Sequence, residues 1–214
     1  MKPAHALRLA LRDTYENSWR LVPVNAALGA VLVAVAVLGY SVHALLALIV
    51  LAGPVAAALV HCAVQVVRTG NLKLADALTG LRLHWRRGFA LGATGAAFAL
   101  VAAVALHVYS HSRFVWPLTF VTAYAIVLLA VYQVVWWTLA IAEPDRPLRV
   151  VASQAAALWV TRPGATLLLG LALLLVNAVG LAAAVMPFLT LTLAYTFVAV
   201  AHFALPRPIT EATT

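Results

Sequence analysis

The stretch LRLHWRRGFALG, Leu81 to Gly92, decides how the chain is read. It gathers Arg82, Arg86 and Arg87 around Trp85, then runs without a break into a segment that carries no charge as far as Ser112. Charge collected at one edge of a long apolar run is the pattern of a helix that crosses a bilayer and stops at its surface. Such a helix needs about 20 apolar residues, and Gly88 to Ser112 supplies them. An arginine at the centre of a span costs at least about 2.5 kcal/mol, whereas one beside an anionic leaflet gains about 1 kcal/mol. Trp85 adds an amphipathic ring suited to the headgroup level.

The rest of the chain repeats the pattern. No Asp, Glu, Lys or Arg occurs in Leu21–Val67, Phe114–Ala142 or Pro163–Pro206. The interval 114–142, like 88–112, holds one span, and the two longer intervals each hold two spans and a turn. Six membrane helices are expected, at 21–41, 44–67, 88–109, 116–141, 164–184 and 187–205. Composition agrees: 65% of the 214 residues are hydrophobic and 9% charged, against about a quarter charged in soluble domains. Lipid must cover surface that a single soluble core of this size could not hide.

An even number of spans places both ends of the chain on one side. All fourteen Lys and Arg residues except Arg113 then fall on that side, the asymmetry that marks the cytoplasmic face of a bacterial inner membrane. The net charge of +8 is therefore an orientation signal. Its carriers alternate with spans instead of forming a soluble basic module, so nucleic acid is not an expected partner. The opening MKPAHALRLALRDTYENSW is interrupted by Arg8, Arg12, Asp13 and Glu16, and no cleavable signal peptide is expected. Cys62 stands alone, so no intrachain disulfide can form.

Three amphipathic stretches precede Trp19, Trp85 and Trp159. Their stripes are Leu7, Leu11 and Tyr15; Leu74, Leu78 and Leu81; and Leu148, Val151, Ala155 and Leu158. Each fits a short interfacial helix on the cytoplasmic face, followed by a tryptophan, a nearby arginine and a hairpin of two spans. The fold class expected is an all-α membrane protein of three such hairpins, in one domain covering 1–214 with possible repeats at 5–67, 72–141 and 147–205. Trp19, Trp85, Arg86, Arg87 and Trp159 are its interfacial anchors. Pro23, Pro117, Pro163 and Pro187 lie near helix starts, where a missing N–H does little harm.

Polar groups inside spans are expensive and therefore candidates for function. His61 and Gln65 share a helix face with Arg68, and Pro54 lies about two to three turns before them where it frees a carbonyl. With Gln133 and Asn177 they form the candidate polar path. The competing role for the same groups is hydrogen bonding between helices. Asn25, His202, Tyr124, Tyr132 and Tyr195 complete the inventory. No acid or base falls inside a span, which argues against a carrier built on carboxylate relays. His43, His107 and His111 are a candidate outer zinc set, but no carboxylate or thiol completes it, so neither a metal nor a cofactor is expected. No catalytic grouping is apparent. Gly88, Gly92 and Gly95 offer a face on which another helix can approach closely.

From Gly53 to Gly92, GPVAAALVHCAVQVVRTGNLKLADALTGLRLHWRRGFALG resembles the YesL-like family of bacterial integral membrane proteins. The shared features are a proline and small-residue segment in the second span, the RTGN link at Arg68–Asn71, and an elbow ending in WRR. The alanine-rich second span departs from that pattern. The resemblance implies an accessory membrane component beside a carbohydrate uptake system of the ATP-binding-cassette type. The expected function is thus a non-enzymatic accessory or assembly protein, in contact with the bilayer and with membrane-protein partners or further copies of itself. The alternative is a small passive transporter or channel with its path near Pro54, His61 and Gln65.

Overall fold

A computed structural model describes the backbone of residues 2–38, 42–111, 114–182 and 191–205, and the side chains of all of these except 32–49. The regular elements are helices: α1 (Pro3–Glu16), α2 (Ser18–Leu38), α3 (Val42–Thr69), α4 (Leu74–Ser110), α5 (Pro117–Ala142), α6 (Leu148–Thr161), α7 (Pro163–Ala182) and α8 (Leu193–Ala204). Four of them are long and apolar enough to cross a membrane: α3 from Val50, α4, α5 and α7. The described part of α8 is apolar but only 12 residues long. Arg113, Pro187 with the turn at Val185–Pro187, and Arg207 lie outside the described residues.

Helix starts follow the prolines in two places. Pro117 opens α5 and Pro163 opens α7, positions where the absent N–H would have had no helical partner. Pro23 departs from that expectation. Because α2 begins at Ser18, Pro23 falls inside the helix and withholds one of its hydrogen bonds. Gly70 ends α3 at φ +70°, its N–H bonded to Val66 O at 2.8 Å, so the RTGN link turns through the left-handed conformation that glycine favours.

The clearest departure from the sequence reading is α4. The expected interfacial helix at 74–85 and the expected span at 88–109 are a single helix of 37 residues. At 1.5 Å per residue it is about 55 Å long, against a hydrocarbon core of about 30 Å. Its first turns, with Asp76, Arg82, Arg86 and Arg87, thus extend beyond the hydrocarbon. Nothing in LRLHWRRGFALG breaks a helix, and Gly88 merely lowers local propensity. By contrast α1 and α2 are separated at Asn17, and α6 and α7 at Arg162 ahead of Pro163.

At the centre α3, α5 and α8 pack against one another. The C-terminal halves of α3 and α5 and nearly all of α8 form the core: Ala57 to Val66 of α3, Val135 to Ala142 of α5, and Ala194 to Phe203 of α8. The helices leading into them lie further out, with α2 against α3 and α4 against both α3 and α5. The amphipathic segments follow a cyclic order. The first turns of α4 lie on α3, α6 lies on α5, and α1 lies on α8.

In α1 and the first turns of α4 these segments bury mostly small residues. The stripe expected in α6 does face inward, with Leu148 and Leu158 packed against the core beside Val151 and Ala155. Ala6, Ala10 and Thr14 of α1 are buried, as are Gly80, His84 and Gly88 of α4 and Val151 and Ala155 of α6. Leu11, Tyr15, Trp19, Leu78, Leu83, Trp85 and Val160 are exposed. Of the stripes read from sequence, Leu11, Tyr15, Leu74 and Leu78 therefore point away from the protein. A small-residue stripe brings two backbones close enough for dense packing, and the bulky side chains are left for whatever surrounds the protein.

Candidate functional site

The α3–α4 pair is the most closely packed in the bundle. Its crossing is set by glycine. A Cβ at Gly53 would stand 2.2 Å from Gly88 O, and one at Gly88 would stand 2.7 Å from Gly53 O and 2.9 Å from Pro54 Cα. The partner of the Gly88–Gly92 face is thus α3 of the same chain, whereas Gly95 has nothing within 4 Å of a Cβ. Pro54 sits at this crossing, inside the unbroken helix α3.

Two turns nearer the charged boundary, His61 and His84 meet. His84 Nε2 lies 3.2 Å from His61 Nδ1, with ring centroids 5.1 Å apart, and both residues are buried. His84 Nδ1 is buried without a partner. Donation from His84 Nε2–H leaves that Nδ1 a bare acceptor, and the opposite tautomer would strand an N–H there. The first arrangement is the less costly one. Gly80 makes the space, since its Cβ would stand 2.8 Å from His61 Cβ and 2.9 Å from the ring. Gly80→Ala is therefore expected to cost about 1–3 kcal/mol, the usual range for overpacking. In a His61→Gly background the same change should cost much less. Unfolding midpoints of the four proteins in detergent check this through a double-mutant cycle.

Sequence reasoning passed over His84. Its signal is the stripe Gly80, His84, Gly88 at four-residue spacing, which sets an imidazole between two small residues facing the neighbouring helix. Reading the cluster as a surface anchor directed attention to its arginines instead.

Arg87 also serves a second purpose. It donates to Ala140 O at 2.8 Å, Glu143 O at 3.2 Å and Arg146 O at 2.6 Å. Arg68, on the face shared with His61 and Gln65, donates to Ala142 O at 2.9 Å. Two guanidinium groups, one from α3 and one from α4, thus satisfy the last carbonyls of α5 and oppose the negative end of its dipole. Arg86 faces outward, its guanidinium 5.2 Å from the Trp85 ring, and Arg20 lies 4.5 Å from the Trp19 ring while donating to Asn71 Oδ1. Trp159 is half-buried in α6, and its indole N–H has no partner among the described residues. The positive charge of LRLHWRRGFALG is divided between the outer surface and a neighbouring helix end.

The other intramembrane polar groups are distributed around the bundle. Asn177 Nδ2 donates to Thr196 Oγ1 at 2.7 Å, joining α7 to α8. Asn25 Oδ1 accepts from Ala194 N at 2.6 Å, joining α2 to the start of α8. His202 Nε2 lies 2.8 Å from Asp13 Oδ2, and Tyr195 Oη donates to Leu7 O at 3.2 Å, both joining α8 to α1. Tyr132 Oη donates to Ala152 O at 3.0 Å, joining α5 to α6. Gln65 is half-buried on α3. Neither end of the Gln133 amide has a hydrogen-bond partner among the described residues, although both are buried.

On the opposite end of α4, His107 and His111 have ring centroids 4.5 Å apart, and His111 Nδ1 lies 2.8 Å from His107 O. The side chain of His43 lies outside the described residues. Among the described residues no three His, Cys, Asp or Glu side chains converge as a metal site. No family model, curated protein or solved structure matches this chain.

Proposed function

We propose that the chain is a six-span protein of the bacterial inner membrane, built as three helical hairpins each led by a cytoplasmic amphipathic segment, with both ends cytoplasmic. In this reading it is a non-enzymatic accessory or assembly component that packs against other membrane subunits. The observation that carries the reading is the outward display of Leu11, Tyr15, Trp19, Leu78, Leu83, Trp85 and Val160 from the three amphipathic segments. The concentration of basic residues beside the same segments supports the orientation. An apolar surface rimmed by charge at the bilayer boundary suits contact with lipid and with membrane subunits. The likeness to the YesL-like family extends the proposal to subunits of a carbohydrate uptake system of the ATP-binding-cassette type.

Purification of the tagged protein from its native host in mild detergent tests this. Other membrane subunits are expected in stoichiometric amount, and they should be lost when Leu78 and Trp85 are both changed to serine. Recovery of this chain alone, with or without that change, would count against an accessory role. A second reading, a passive path for a small solute, draws on the unpartnered amide of Gln133 and Asn177 Oδ1, groups that a permeating molecule would satisfy. Solute flux into proteoliposomes that depends on Gln133 would favour it.

A further inference from the structure

Two cavities lie near the junction of α7 and α8, and the smaller is lined by the hydrogen-bonded pair Asn177 and Thr196. One, of about 120 Å³, lies against α5 beside Val131, Leu169 and Val200. The other, of about 320 Å³, opens between α7, the start of α8 and α1. Leu11, Tyr15, Val176 and Leu191 are among its walls, with the hydroxyl-bearing Thr14 and Thr192. Small-molecule sites begin at about 300 Å³ and typically pair apolar walls with a few convergent polar groups. The larger cavity has both properties, and no charged side chain lines it.

We propose that this cleft holds an acyl chain of an anionic glycerophospholipid, with the ester carbonyl at Thr14 and the headgroup against Arg8 and Arg12. The inference rests on the membrane reading above. The walls of the cleft join Val176, about 20 Å along α7 from Pro163, to Thr14 on α1, the helix that carries Arg8 and Arg12. Its surroundings are apolar, with Leu11, Tyr15 and Val179 all exposed, so bilayer lipid is the first thing to reach it.

The polar groups match the two ends of such a molecule. Thr14 is 4% exposed, and neither its hydroxyl nor Thr192 Oγ1 has a partner among the described residues. Rotation of Thr14 about χ1 exchanges hydroxyl and methyl and turns the donor toward a carbonyl in the cleft. Arg8 and Arg12 are exposed one turn apart, on the α1 face that also carries Leu11 and Tyr15. On α1, Asp13 lies against His202 and Arg12 is paired with Glu16, so the positive charge left over on this face for a phosphate diester is that of Arg8.

The test uses the full chain in phosphatidylcholine nanodiscs doped with phosphatidylglycerol bearing a photoactivatable acyl chain. Labelling is expected to concentrate on peptides containing Tyr15, Val176 and Leu191. Val176→Trp fills the cleft and should abolish the enrichment. Thr14→Val keeps the shape and should weaken retention of phosphatidylglycerol about two- to tenfold, the worth of one hydrogen bond. Monodisperse elution of both variants establishes that they fold. Labelling spread evenly over α4, α5 and α7, or the same with a phosphatidylcholine probe, would overturn the site while leaving the membrane reading intact. A chain that does not enter the discs would overturn both.

Discussion

Arg87→Leu is expected to destabilise the protein by about 2–4 kcal/mol, far more than Arg86→Leu at the neighbouring position. Arg87 satisfies three carbonyls at the end of α5, and one of them belongs to Ala140, which is completely buried. A hydrogen bond to a charged group contributes about 1.5–3 kcal/mol, and stranding a buried acceptor adds its desolvation penalty. The carbonyls of Glu143 and Arg146 are nearer solvent and recover part of theirs from water, which holds the total below a simple sum. Arg87→Lys should restore only part of the loss, because an ammonium lacks the planar fork that reaches several acceptors. Arg86 is exposed against Trp85, where its removal should cost less than about 1 kcal/mol. Unfolding midpoints in detergent separate these cases: about 2–4 °C accompany each kcal/mol in a chain of this size. Equal effects at Arg86 and Arg87 would mean that the pair acts as one surface patch.

Gly53→Ala is the second large effect. The added methyl would stand 2.2 Å from Gly88 O and 2.9 Å from Gly88 C, both backbone atoms that no rotamer change can move aside. The helices must separate along a crossing that continues through Pro54, Ala57 and Gly92. Overpacking of a rigid contact costs about 1–3 kcal/mol, and this position belongs at the top of that range. Separation would also pull His61 from His84. Gly95→Ala is the matched control: with nothing within 4 Å of its Cβ, it should gain about 0.5–1 kcal/mol from helix propensity. The comparison is read from unfolding midpoints together with the cross-linking yield of a cysteine pair placed across α3 and α4. If Gly53→Ala and Gly95→Ala behave alike, the close approach of α3 to α4 does not limit stability.

Much of the helical layout was legible before any coordinates. The uncharged interval 114–142 corresponds to α5 at Pro117–Ala142, and the expected 164–184 to α7 at Pro163–Ala182, because hydropathy and proline act locally. The continuity of α4 was not, since Arg82, Arg86 and Arg87 mark where the hydrocarbon ends and not where a helix ends. A helix can pass through that boundary if no residue forbids it. The partners of His61 and Arg87 were illegible for a different reason. Both depend on which helix faces which, and the periodicity of a single segment carries no information about its neighbour. The exposed orientation of Leu11 and Leu78 belongs with these. In a bilayer the side chains that pack inward are often the smallest. An apolar stripe therefore marks the inner face in α6, where Leu148, Val151, Ala155 and Leu158 turn inward, but not in α1 or the first turns of α4.

The docking of α1 on α8 has a consequence for how the protein is made. Leu7 and Tyr195, or Asp13 and His202, are separated by nearly the whole chain. At a synthesis rate of about 5–20 residues per second, roughly 10–40 s pass between the emergence of one and the other. Throughout that interval Ala6, Ala10 and Thr14 have no α8 to cover them. Insertion of the helices and closure of the bundle are therefore separate events in biogenesis, and a ribosome stalled before α8 would leave a chain whose first helix lacks its main partner and keeps only its smaller contacts with α7 and α2.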